Sequence, residues 1–174
     1  NVPWVVGSRA FQDEARSIAQ RSLVLVRDSL GVIDSLRAGR RKLTLVTYGD
    51  ENNLNAGTTL AAELRAGGDT VFFFRLWPAS GPASYDSAAA LIARSGFAVF
   101  AAQVKATAWR GTITLPDAFA ALADSTARRQ PTVLVSLGSP YLLSQAPDVG
   151  SFLLAWISTP LSEQAAARAL LGQA

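Results

Sequence analysis

The chain has 174 residues, the length of one ordinary domain, and 49% of them are hydrophobic, enough apolar surface to bury a core. Only 17% are charged and the formal net charge is +3, so the sequence pI near 9.8 reflects a small excess of cations with no concentrated basic tract, and no nucleic-acid partner is expected. There is no Cys and no His, which excludes thiol nucleophiles, disulfides and thiolate metal sites and removes the commonest general base and metal ligand; no metal and no cofactor are expected.

The sequence opens on Asn1 and contains no Met, so it is expected to be a piece of a longer polypeptide. Residues 1–10, with Pro3, Gly7 and Ser8 around Trp4, read as a linker, and residues 11–174 as one domain entered by a helix near Phe11. Short, nearly continuous apolar runs follow at 23–26, 43–47, 71–76, 97–102 and 132–136. They lack the alternation of a half-exposed strand and read as buried parallel strands. Between and after them lie pairs at helical spacing: Leu60 with Leu64, Ala88 with Leu91 and Ile92, Phe119 with Leu122 and Ala123, and Ala165, Ala166, Ala169 and Leu170. Gly67, Gly96 and Gly172 stand where helix C-termini are expected, and Thr114 with Asp117, or Thr159 before Pro160, make helix starts. Residues 152–156 are either a sixth strand or a buried turn under the last helix. The cluster Arg37, Arg40, Arg41 and Lys42 reads as a solvated loop. No apolar run is long enough to span a bilayer.

Strands joined by helices of this length take right-handed crossovers, which gives an α/β fold: a three-layer α/β/α sandwich with a mostly parallel sheet of five or six strands. Ligands of such sheets collect at the carboxyl ends of the strands. The residues there are Tyr48, Gly49, Asp50, Glu51, Asn52 and Asn53 after the second run, Trp77 and Tyr85 after the third, Gln103, Lys105, Trp109 and Arg110 after the fourth, and Gly138, Ser139, Pro140 and Tyr141 after the fifth. Carboxylate, amide, cation and indole groups suit a sugar-binding rim, because hydroxyls need directional polar partners and pyranose faces stack on aromatic rings. Asp50, Glu51, Asn52, Lys105, Trp109, Arg110 and Ser139 are therefore the candidates for substrate contact. Each has a plainer reading as well. Asp50 and Asn52 suit an Asx turn or a cap on a helix starting near Ala56, Trp77 and Trp109 suit a core or interface, and Lys105 and Arg110 suit a solvated surface. Gly138, Ser139 and Pro140 do not make a nucleophile elbow, since the Gly-x-Ser-x-Gly spacing is missing and no His exists to take the proton. Gly67, Gly68 and Asp69 precede a strand, whereas a dinucleotide fingerprint follows one.

Three segments carry a family resemblance. Residues 18–28, Ile-Ala-Gln-Arg-Ser-Leu-Val-Leu-Val-Arg-Asp, resemble the stretch with which the second domain of family 3 glycoside hydrolases begins. Residues 133–149, Val-Leu-Val-Ser-Leu-Gly-Ser-Pro-Tyr-Leu-Leu-Ser-Gln-Ala-Pro-Asp-Val, resemble that domain's late strand and its Pro-containing turn, and 163–172, ending Arg-Ala-Leu-Leu-Gly, is similar to its closing helix. The resemblance implies a bacterial enzyme whose catalytic aspartate lies on a preceding (β/α)8 barrel of the same polypeptide. This chain is then the non-catalytic C-terminal domain, packed on the barrel, with a carbohydrate substrate belonging to the whole enzyme and no catalytic residue here. The Ser-Pro-Tyr-Leu-Leu turn and the compact length point to the β-N-acetylhexosaminidase branch, acting on N-acetylglucosamine-containing glycans, and a secreted or periplasmic parent is favoured. In the glucosidase branch a loop of this domain donates the acid/base, which keeps Asp50 and Glu51 in view. A stand-alone module for a sugar or nucleotide, and a pure scaffold domain, are the alternatives.

Overall fold

Both faces of the central apolar runs are covered by helices, and this is why uninterrupted Val, Leu, Phe and Ala serve as strands. The computed structural model describes residues 7–104 and 113–173. Its strands are β1 (Val24–Asp28), β2 (Lys42–Tyr48), β3 (Thr70–Leu76), β4 (Phe97–Ala102), β5 (Thr132–Ser136) and β6 (Ser151–Leu154). Its helices are α1 (Arg9–Arg21), α2 (Val32–Arg37), α3 (Thr58–Ala66), α4 (Pro82–Ile92), α5 (Asp117–Ala127) and α6 (Pro160–Leu170). The strands form one sheet in the order β1-β6-β5-β4-β2-β3, parallel from β3 through to β6 and antiparallel only where β1 joins β6.

Alternate side chains of each inner strand enter opposite layers. Leu43, Leu45, Val99, Val133 and Val135 meet Leu36 of α2, Leu60 and Leu64 of α3, and Ala166 and Leu170 of α6. Val46, Ala98, Phe100, Leu134 and Phe152 meet Ile92 of α4 and Phe119 and Ala123 of α5, where the Phe100 and Phe119 rings pack edge to face at 5.5 Å. The three-layer α/β sandwich expected from the apolar runs is the fold observed, and 151–154 supply its sixth strand.

The first run departs from the expectation. Residues 24–28 form an antiparallel edge strand, and Val24, Leu25 and Val26 are exposed rather than buried. A bulge at Val26 sets Leu25 opposite Leu153 and Arg27 opposite Phe152, which twists this edge. Among the described residues no helix buries these three side chains, and α1 packs on α6 without burying any residue of its own. Two helix-start readings divide as well. Thr159 does cap α6, accepting from the Ser162 N–H, whereas α5 starts one residue after Pro116 and Thr114 lies outside it. Asp50 and Asn52 do not cap α3, whose N-cap position is Gly57.

Candidate functional site

The strand order changes direction at β2. The chain leaves β2 for β3 on one side, then crosses back over α4 to β4 on the other, so the connections after β2 and β4 diverge and leave a crevice at the carboxyl edge. A cleft of about 280 Å³ lies there. Asp50 and Asn53 line it from the loop after β2, Gln103 from just after β4, Leu137 and Gly138 from just after β5, and Trp156, Ile157 and Ser158 from the turn after β6.

Its wall after β2 is shaped from the neighbouring strand. The Arg75 guanidinium on β3 donates to the carbonyls of Asp50 at 2.7 Å, Glu51 at 3.2 Å and Asn53 at 3.1 Å. Its other side faces the Trp77 ring, 5.2 Å from the centroid. A planar fork with several donors suits this task, because it ties three carbonyls of one loop to one strand.

Beneath the cleft lies a buried carboxylate. Glu163, on the first turn of α6 and 4% exposed, accepts the Gly57 N–H at 3.0 Å on Oε1 and the Leu60 N–H at 3.2 Å on Oε2. It thus caps α3 from another helix, at the end where unpaired N–H groups and the helix dipole favour negative charge. Burial pushes its carboxyl above the ordinary value of 4.5, opposed by the N–H bonds from Gly57, Leu60 and Thr59 and by the Gln103 amide. Gly57 is required here: its φ is +79°, and a Cβ on it would lie 2.1 Å from Thr47 Cγ2. Gln103 bridges cap and cleft, donating from Nε2 to Glu163 Oε1 at 3.2 Å and accepting on Oε1 from Asn53 Nδ2 at 2.6 Å.

Trp156 closes the opposite side. It has φ +59°, and the Ile157 N–H reaches the Ala155 carbonyl at 2.6 Å, a γ-turn of the strained positive-φ kind. The indole is anchored by its N–H to the Ser22 carbonyl at 2.9 Å, and half of its surface stays exposed.

Of the residues expected at the rim, Asp50 lines the cleft. Glu51 and Asn52 sit on the outer, exposed part of the same loop, although the Glu51 carbonyl belongs to the Arg75 clamp. Ser139 is at the same edge but buried: its N–H donates to the Val104 carbonyl, its carbonyl accepts from Ser136 Oγ, and its hydroxyl accepts from the Tyr141 N–H. Lys105, Trp109 and Arg110 lie outside the described residues. Among the described residues no cluster of acidic side chains could hold a metal ion, and no helix is long and apolar enough to cross a membrane.

Sequence reasoning missed Trp156 and Glu163. The second left a signal. On α6, Glu163 shares a helical face with Ala166, Ala167 and Leu170, at spacings of three, four and seven, so a lone acid stands within an apolar stripe. Such an acid needs partners, and an Ala-rich surface admits a neighbouring helix end close enough to supply them.

No protein-family profile and no curated protein sequence matches the chain. Solved structures do. The chain superposes on a glycoside hydrolase family 3 β-N-acetylglucosaminidase from Paenibacillus sp. str. FPU-7 with a TM-score of 0.77 at 18% identity, over 97% of this chain and 31% of that one. For the β-glucoside phosphorylase BglX the TM-score is 0.73 at 19% identity, over 97% and 30%. For the β-glucosidase from Listeria innocua in complex with isofagomine it is 0.75 at 18% identity, over 97% and 26%. The likeness is one of fold. The chain spans less than a third of the length of these enzymes, and each of them acts on glycosides by its own name.

Proposed function

We propose that the chain is the non-catalytic C-terminal domain of a family 3 glycoside hydrolase, packed against the catalytic (β/α)8 barrel of the same polypeptide and lining part of its active site. The observation that carries this reading is the coverage: nearly the whole chain superposes on carbohydrate-active enzymes more than three times its length. Within the family, the Ser-Pro-Tyr-Leu-Leu turn at 139–143 supports a β-N-acetylhexosaminidase acting on N-acetylglucosamine-containing glycans. The β1 edge supplies a docking surface. Val24, Leu25 and Val26 are 42–50% exposed, with Phe11 and Ile18 of α1 also exposed, and Trp156 joins this strip to the cleft through its bond to Ser22. A barrel docked on the strip closes one side of the cleft and leaves its polar floor facing the interface.

On this reading the barrel supplies both the acid and the nucleophile. Both oxygens of Glu163 are occupied by backbone donors beneath the cleft, and Glu51 is exposed and is not among the residues that line the cleft. The test compares the parent polypeptide with and without the domain, residues 11–174, by kcat, KM and thermal unfolding. A lower melting temperature with a raised KM is expected; unchanged stability and kinetics overturn the reading in favour of a separate binding module. The isolated chain is expected to show no turnover of aryl N-acetylglucosaminides or aryl glucosides. Hydrolysis that disappears in Asp50→Ala or Glu51→Ala would move the chemistry into this domain.

A further inference from the structure

At the opposite edge of the sheet from the cleft, where β5 and β6 begin, lies a second cavity of about 200 Å³. Leu30 and Val32 around the start of α2, and Ala127 and Pro131 around the end of α5, give it apolar walls, and among the described residues no charged side chain lines it. The walls are held by the rest of the fold. Ser29 donates its N–H and its hydroxyl to the Gly150 carbonyl at 2.9 and 3.1 Å, Arg27 of β1 donates to the carbonyls of Pro147 and Val149, and Asp28 accepts the Val32 N–H at 2.9 Å. Leu30 lies across Gly150, where a Cβ would come within 3.3 Å of Leu30 Cδ1, and it stays 75% exposed at the rim. Walls fixed in this way lose little order when a partner binds. Gln130 also lines the cavity, and its main chain is used on both sides: the N–H donates to the Thr126 carbonyl at 3.0 Å and the carbonyl accepts from Thr132 Oγ1 at 2.9 Å. Its side-chain Nε2 is buried and meets no acceptor among the described residues. An enclosed amide donor costs free energy until an acceptor is brought to it.

We propose that this cavity is an anchor site for an extended polypeptide segment: it takes one aliphatic side chain between Leu30, Val32 and Pro131, and a carbonyl of the same segment accepts from Gln130 Nε2. Each part of that chemistry follows from a wall. Uncharged, largely apolar walls exclude a charged side chain, whose desolvation nothing here offsets. The unpartnered donor calls for an acceptor, and a peptide brings one beside every side chain. Size favours an anchor over a free small molecule, because small-molecule sites hold about 300–1,000 Å³, whereas an apolar cavity of about 150 Å³ already encloses a benzene ring. Position favours it too. The antiparallel β1 runs from the cleft edge at Val24 to this edge at Asp28, so its exposed Val24, Leu25 and Val26 lead on to Leu30, and an extended segment lying along them reaches the cavity. Neither the cavity nor the donor depends on the glycosidase-domain reading.

The experiment titrates the 174-residue chain with N-acetyl-L-leucine methylamide and follows backbone amide NMR shifts. Saturable shifts at residues 30–35, 127–132 and 150 are expected, with Kd on the order of 10 mM. N-acetylglycine methylamide keeps the carbonyls and lacks the side chain, so it should bind at least about 10-fold more weakly, and N-acetyl-L-aspartate methylamide should not bind. Gln130→Met removes the donor at similar side-chain length. It is expected to weaken the leucine ligand about 3- to 10-fold and to raise the melting temperature of the free chain by about 2–4 °C, because the unmet donor is gone. A Gln130 that only holds the turn between α5 and β5 would lower the melting temperature and leave the affinity unchanged, which overturns its role. Ala127→Leu fills the cavity from α5 and should abolish binding; if that variant does not fold, Gln130→Met carries the test. Absence of saturable shifts in the folded wild type at about 100 mM ligand, or equal binding of the glycine compound, overturns the site. Two other occupants give results of their own. Isobutyramide binding as tightly as the leucine ligand means a free acyl amide, and shifts of the same residues on diluting the chain alone mean a second copy of it; either result overturns the segment as occupant.

Discussion

Replacing Glu163 with Ala probes the contact on which both α3 and the cleft depend. The substitution removes the acceptor of the Gly57 and Leu60 N–H groups and of Gln103 Nε2, in a place where Glu163 is 4% exposed. Hydrogen bonds to a charged acceptor contribute roughly 1.5–3 kcal/mol each, and a buried donor left without a partner costs about 1–3 kcal/mol. These terms overlap and are offset by relief of the desolvation that pushes the carboxyl pKa up. The net loss expected is about 4 kcal/mol, in line with breaking a buried charged contact from one side. For a domain of this size that lowers the melting temperature by roughly 8–16 °C. Urea unfolding followed by tryptophan fluorescence and far-UV circular dichroism measures it. The same assay across pH tests the electrostatic part. A carboxyl whose folded pKa lies above 4.5 contributes stability that is fully present below that value and lost as pH rises through the folded pKa. Wild type should therefore lose stability relative to Glu163→Gln as pH rises from 4.5. A Glu163→Ala variant within about 1 kcal/mol of wild type, or a wild-type to Glu163→Gln difference flat with pH, refutes the account of this carboxylate.

Two further predictions concern positions outside the cleft. Gly57→Ala drives a Cβ to 2.1 Å from Thr47 Cγ2 at φ +79° and should cost about 3 kcal/mol or more; Thr47→Ser, which keeps the hydroxyl bonded to the Ala56 carbonyl, should recover part of the loss in the double variant, and chemical denaturation of the four proteins checks it. Asp69 accepts the Arg41 N–H on Oδ1 while its buried Oδ2 has no partner among the described residues, and burial raises its pKa. Asp69→Asn should therefore raise stability by roughly 1 kcal/mol at pH 7, and a loss instead would mean that the charge is compensated by its Arg41 contact.

The parallel core was legible because its requirement is local. A strand covered on both faces needs apolar side chains at consecutive positions, and 43–47, 97–102 and 132–136 show that at a glance. The run at 23–26 has the same composition and a different fate. Its exposure depends on being last in the sheet with no described helix burying it, a property of its neighbours that apolarity alone does not encode.

The cleft divides in the same way. That residues after the second, fourth and fifth strands would share one edge follows from parallel pairing, and Asp50, Gln103 and Gly138 do so. Their roles depend on partners far along the chain: Asn53 and Gln103 are separated by 50 residues, Gln103 and Glu163 by 60, and Gly57 and Glu163 by 106. A polar residue read alone gives its capacity to donate or accept; which of these is used depends on the group brought against it. Glu163 read alone is a first-turn acid of its own helix. Folding sets it against the start of another, because the small Ala face of α6 lets α3 approach, and that contact also holds the Gln103 amide at the cleft. By itself the sequence determined the layers and the edge at which polar residues collect, since periodicity and strand ends are properties of nearest neighbours. Only the tertiary structure decided which of those residues face one another and with which atoms, since hydrogen-bond direction is settled by groups that the chain brings together from a distance.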